Sequence, residues 1–261
     1  MATLLQVIIF STLGSLFSLA GGFLLLANKS NATKFADYAT PFAAGALLAA
    51  AFVDLLPEAI EETSATIALR SALFGIILFF ILERFLHWFH HHHEHEDNAP
   101  HSRDSNVPLI IIGDTVHNFI DGAAIAAAFL VSFPTGVVTT LAVAAHEIPQ
   151  EIGDFGLLLK RGMTRKNVIL ANILSALATT VSATTFFLIG QQTQIRIDVL
   201  LAVSAGFFIY IAASDLIPSI HDNHHTDNNR HNKNLASQQT AMLLFGVVAV
   251  SSATIFLHKF I

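Results

Sequence analysis

The chain has 261 residues, of which 53% are apolar and only 12% charged, and its mean hydropathy is +0.61. A soluble domain carries about twice that share of charge, so a water-soluble globule is excluded. The net charge of −6 without any basic patch excludes nucleic acid as a partner, and the absence of Cys excludes a disulfide framework or a thiolate metal site.

The first apolar run, at about 4–27, has no Lys or Arg before it. It is too long for a signal-peptide core and is expected to be a retained first span. Seven further runs of about 20 residues follow at 37–60, 66–89, 107–131, 134–160, 166–190, 197–220 and 238–258. They are continuous and lack period-2 alternation, so they read as helices rather than strands. The expected fold class is an all-α membrane protein with eight transmembrane helices, one domain over residues 1–261.

Span 2 ends Asp54-Leu55-Leu56-Pro57-Glu58. Asp54 and Glu58 share a face near its outer end, where they could attract cations at an entrance or sit as carboxylates in interfacial water. Span 3 runs into a His-rich loop, 90–106, in which His90, His91, His92, His93 and His95 are candidates for metal capture. A near-neutral imidazole is a good Zn²⁺ ligand, although a solvated linker is the plain alternative. This loop and a second, His/Asn-rich one at 221–237 have no apolar periodicity and are expected to be disordered. With the span ends they hold eleven of the fourteen His.

Span 4 contains His117-Asn118-Phe119-Ile120-Asp121-Gly122. At roughly 100° per residue, Asp114, His117, Asn118 and Asp121 fall within an arc of about 100°. His117 and Asp121, four apart, can reach one ion together. Span 5 contains His146-Glu147-Ile148-Pro149-Gln150-Glu151. There His146 and Gln150 share one face, and Glu147, Glu151 and Asp154 share another, displaced by about 100°. Two such faces could line two neighbouring metal positions or one continuous pathway.

An ionisable group at membrane depth costs about 2.5 kcal/mol or more. Spans 4 and 5 hold no Lys or Arg before Lys160, so their carboxylates must protonate or hold a bound cation. The donor set is that of a divalent transition-metal site rather than of a protonated structural network. Pro149 frees the carbonyl of Ala145 and can bend span 5 there. Asn172 and Ser175 in span 6 read as helix-packing polar residues.

Span 7 ends Asp215-Leu216-Ile217-Pro218, echoing span 2. Ten Lys and Arg lie in the loops after spans 1, 3, 5 and 7 (residues 29, 34, 84, 103, 160, 161, 165, 166, 230 and 233), and three lie on the other side at 70, 196 and 259. The ten should face the cytoplasm, which puts both termini outside. Span 2 then runs outward and span 7 inward. That is a weak inverted repeat, as in transporters whose substrate site lies near the midplane, and Asp215 joins the pathway candidates.

The runs GDTVHNFIDGAAIAAAF and TTLAVAAHEIPQEIGDFGLLLKRG resemble the signature helices of the ZIP (Zrt/Irt-like protein) family of divalent-metal transporters. The subgroup most similar is the one whose fifth span reads HEIPHE. With the eight spans, external termini and His-rich loop, the resemblance covers essentially the whole chain. It implies a ZIP-type bundle forming a single transporter domain in the inner or plasma membrane. It also implies Zn²⁺ uptake towards the cytoplasm, with Fe²⁺, Mn²⁺ or Cd²⁺ as other substrates. The implied partners are metal ions, the lipid bilayer and a second copy in a homodimer, with elevator-like motion. Carried over by position, the main site falls on His117, Asp121, His146 and Gln150. A second position falls near Asn118, Glu147 and a bridging residue. Gln150 departs from the subgroup's His and is a neutral, weaker ligand. Glu151 and Asp154 match the pattern as pathway groups or supports behind the ligands. An intramembrane metalloprotease would want HExxH, whose second His is Gln150 here. A metal exporter would use the same residues in the other direction.

Overall fold

The computed structural model describes residues 2–92, 107–193, 196–222 and 231–260, without the side chains of 86–92, 109, 222 and 231–234. The chain forms α1 (Leu4–Ser18), α2 (Ala20–Ala27), α3 (Lys29–Ala49), α4 (Leu56–Glu62), α5 (Ala65–His92), α6 (Val107–Val131), α7 (Phe133–Lys160), α8 (Arg165–Gln192), α9 (Ile197–Ile211), α10 (Ile217–Asp222) and α11 (His231–Phe260). α1 and α2 form one rod, as do α3 with α4 and α9 with α10, so the described residues make eight rods. Six are long and apolar enough to cross a membrane. The other two, α6 and α7, contain the polar residues of spans 4 and 5.

Local chemistry sets the helix ends. Thr3 and Gln6 form a capping box, and Ser132 and Thr164 accept from the backbone amides of Thr135 and Asn167. Gly162, at φ 97°, makes the left-handed turn between α7 and α8. Asn28 caps α3 at Lys29, so this helix begins eight residues before the expected span and carries its polar first turns beyond the apolar stretch. α11 begins at His231, so part of the 221–237 loop expected to be disordered is helical. Likewise α5 continues through His90, His91 and His92. A helix already nucleated extends over polar residues at little cost per residue. His93 and His95, with most of both His-rich loops, lie outside the described residues.

Pro57 and Pro218 each remove an amide donor and crowd the preceding turn. The helix relaxes into a π-helical segment just upstream, Ala50–Leu55 in one rod and Ala212–Leu216 in the other. Each segment contains the Asp of its Asp-Leu-Leu/Ile-Pro motif. Gly45, Asp54 and Pro57 recur at identical spacing as Gly206, Asp215 and Pro218. The two rods cross antiparallel: α4 packs on α9, and α10 packs on α3. Each also has an outer companion, α11 against α3 and α5 against α9. A Cβ at Gly45 would fall on the carbonyl of Leu243, and one at Gly206 on that of Ala72. Glycine therefore lets the backbones touch at both crossings.

The remaining rods form a second group, with α6 on α8, α7 on α6, and α1 and α2 against α7. The two groups meet where α7 faces α3 and α6 faces α9. A core of Ala, Leu and Phe, including Leu47, Ile125, Phe129 and Phe208, fills this junction. Large apolar side chains such as Leu13, Phe74, Leu174 and Phe256 point outward, as expected for lipid-facing helices.

Candidate metal centre

α6 and α7 face one another with their polar residues at the same level. His117 Nε2 lies 3.2 Å from His146 Nε2, 3.7 Å from Asp121 Oδ2 and 3.5 Å from Glu147 Oε1. His146 Nε2 lies 3.2 Å from Asp121 Oδ2 and 3.6 Å from Glu147 Oε1. Bonds of about 2.0–2.1 Å from four ligands to Zn²⁺ imply tetrahedral edges of about 3.3–3.4 Å. The five distances given, 3.2–3.7 Å, are thus close to the edges of a tetrahedron around one ion, and all four atoms lie within 4.8 Å of one another. His117 is partly exposed and the other three residues are buried.

Charge and orientation agree with the spacing. Asp121 Oδ2 and both oxygens of Glu147 have no hydrogen-bond partner, although two imidazoles stand within ion-pair reach. The two imidazole nitrogens stand at hydrogen-bond distance from one another, while Asp121 Oδ2 and Glu147 Oε1 face both rings without a hydrogen bond. Two neutral imidazoles and two carboxylates supply the charge a divalent cation neutralises. His146 Nδ1 faces the carbonyl of Ala142 at 3.3 Å. A carbonyl only accepts, so Nδ1 holds the proton and Nε2 presents its lone pair to the site.

A second group of ligand atoms, from Asp114, Glu147 and Glu151, adjoins the first and shares Glu147 with it. All three residues are buried, and neither oxygen of Glu151 has a hydrogen-bond partner. Glu147, placed by helix periodicity on a different face from His146, therefore reaches both groups. Asn118 is buried behind them. Its amide donates to the Asp114 carboxylate at 3.0 Å, and its oxygen accepts from Thr179 at 2.8 Å. The contact clamps α6 to α8 and fixes Asp114. A Cβ at Gly122 would collide with the Thr179 carbonyl, so the same helix pair needs glycine one turn further on. Ser175 lies 3.5 Å from the Asn118 amide, while Asn172 donates to the Val168 carbonyl within its own helix.

Gln150 and Asp154 line a pocket of about 250 Å³ beside His117, together with Asp114, Glu83 and Asp215. Glu83, which accepts from the Tyr210 hydroxyl at 2.5 Å, was not singled out in the sequence. It is an ordinary charged residue at a span end, and only the tertiary fold brings it to the pocket. Asp54 and Glu58 belong to neither group; both approach His258, near the end of α11.

A family model described as ZIP Zinc transporter matches residues 2–109 and 107–254. Zinc transporter ZIP6 of Homo sapiens is 35% identical over 175 residues, 66% of this chain and 23% of that protein. Zinc transporter ZIP10 of Danio rerio is 41% identical over 125 residues, 48% of this chain and 14% of its own length. Zinc transporter ZIP4 of Homo sapiens is 40% identical over 112 residues, 43% of this chain and 17% of its own. The matched part of the chain spans less than a quarter of the length of these relatives.

Proposed function

The chain belongs to the ZIP zinc transporter family, and from that premise we propose that it carries a divalent transition metal, foremost Zn²⁺, into the cytoplasm by alternating access. The observation that carries this reading is the cluster of His117, Asp121, His146 and Glu147, three of them buried, on two helices with no Lys or Arg before Lys160. On this reading all eight rods span the bilayer, α6 and α7 included. The Lys and Arg bias turns the His-rich loops to the cytoplasm and both termini outward in an inner or plasma membrane.

The ion sheds water as imidazole and carboxylate replace it. Glu147, shared by the two groups, hands it towards Asp114 and Glu151. The pocket lined by Gln150, Asp154, Glu83 and Asp215 then leads away, on the side where α5 and α10 run towards the His-rich segments and α7 ends at Lys160. Mixed nitrogen and oxygen donors hold metal loosely enough to release it, unlike a closed thiolate site. The histidines of the His-rich segments, His90 to His93 and His95 among them, collect metal there without an essential role in translocation. The group of α1, α2, α6, α7 and α8 moves as a unit against the other rods, and pairs of chains form the assembly. The oxygen-rich second group also suits Fe²⁺ and Mn²⁺, so a transporter preferring these metals is the alternative.

The test is purified protein in liposomes, with a metal-sensing dye inside or outside. Ala at His117, Asp121 or His146 should nearly abolish Zn²⁺ uptake with insertion intact. Near-normal uptake in all three variants would sink the assignment, and signal from the opposite compartment would reverse the direction.

A further inference from the structure

His258 is the one described histidine outside both the candidate metal centre and the His-rich segments, and three rods converge on it. Its Nε2 lies 3.1 Å from Glu58 Oε1 and 3.8 Å from Asp54 Oδ1. The Thr135 hydroxyl, in the first turn of α7, stands 3.3 Å from the same nitrogen. Nδ1 faces the Thr254 carbonyl at 2.9 Å. That carbonyl can only accept, so Nδ1 holds a proton, and Nε2, at hydrogen-bond distance from the Glu58 carboxylate, offers its lone pair to a cation when it carries no proton.

Asp54 supplies the independent observation. It is 1% exposed, and neither of its carboxylate oxygens has a hydrogen-bond partner. The π-helical segment turns it towards His258, yet 3.8 Å is too long for a hydrogen bond. Its neighbours are graded in depth: the Glu58 and His258 side chains are 23% and 32% exposed, above a buried Asp54. The two distances from Nε2 bracket the tetrahedral edge of about 3.3–3.4 Å. All three groups lie at the helix ends opposite the His-rich segments. Thr135 is about 18 Å along α7 from Glu147, so this is a separate place from the midplane cluster.

We propose that Asp54, Glu58 and His258 form a metal-capture site at the outer mouth. It takes a hydrated divalent cation on Glu58 and His258 and draws it inward as Asp54 replaces water. The inference rests on the transport reading for its purpose, but not for its test.

The chain has no Cys, so Glu58→Cys introduces a single thiol. Full-length protein in vesicles is treated with a membrane-impermeant maleimide, with and without Zn²⁺, from each side in turn. Zn²⁺ should protect the thiol. Adding His258→Ala should raise the half-protecting concentration at least tenfold. Adding His117→Ala, which disables the midplane cluster, should leave it unchanged. If E58C/H258A does not reach the membrane, E58C/D54N is measured in the same way, with the same expected loss. Equal protection with and without His258, or protection lost in H117A, would overturn the proposal. The side on which labelling occurs reports orientation separately, so a reversed protein would leave the capture site intact.

Discussion

Glu147→Gln distinguishes a ligand from a bystander, because its effects on the empty and the loaded protein have opposite signs. The substitution keeps size and shape but removes one negative charge from a residue 1% exposed whose oxygens have no hydrogen-bond partner. In the loaded protein it breaks a buried charge contact, a loss of about 3–5 kcal/mol. At about 1.4 kcal/mol per decade, Zn²⁺ binding should weaken at least a hundredfold. With metal at about 100 times the parent Kd, binding stabilises the parent by about 2.7 kcal/mol, and a site a hundredfold weaker by only about 0.4 kcal/mol. In the empty protein an orphan carboxylate becomes a neutral amide, which is cheaper to bury, so the variant should unfold at or above the parent's temperature. The assay is thermal unfolding of detergent-purified protein with and without Zn²⁺, the loop histidines being replaced by Ser in both proteins to silence their binding. A zinc-induced shift equal to the parent's would refute Glu147 as a ligand. A metal-free Tm well below the parent's would refute the claim that its charge is unsatisfied.

Gln150→His should raise Zn²⁺ affinity and sharpen preference over Mn²⁺, because imidazole is the softer, stronger donor beside His117; an unchanged ratio in competition uptake would mean that the side chain faces away from the ion. Gln150→Ala should be milder than loss of His117, which the same uptake assay reads. Replacing His90 to His93 and His95 with Ser should leave substantial uptake at saturating metal, and complete loss in correctly inserted protein would contradict a tuning role. Gly122→Ala places a Cβ on the Thr179 carbonyl and 2.8 Å from the Ser182 Cβ. It should cost about 1–3 kcal/mol, visible as a lower Tm without Zn²⁺.

The rods were legible because length and apolarity alone decide them, and α6 and α7 were found through the very residues that lower their apolarity. Periodicity put His117 with Asp121, and the two stand 3.7 Å apart. It separated His146 from Glu147, whereas an ion in the gap between two helices is within reach of both neighbours. The prolines at 57 and 218 announced a disturbance without its form, since kink and π-helical segment leave the same mark in sequence. His258 had no local signature at all: Thr135 and Glu58, which stand beside its Nε2, are 123 and 200 positions away and meet it only once α11 lies against α3 and α7.

The bond between α6 and α7 is a single residue, Ser132. On insertion scales each Asp at a helix centre opposes membrane partitioning by about 2.5–3.5 kcal/mol, so Asp114 and Asp121 handicap α6, and Glu147 and Glu151 handicap α7. Neither helix is a good passenger alone. Because a one-residue turn delivers them together, the cheapest route into the bilayer is as a hairpin with its acidic faces turned inward, received by helices already in place. Biosynthesis is therefore most fragile at this pair, and variants that lengthen the turn should be lost to quality control before any fault in ion handling can be seen.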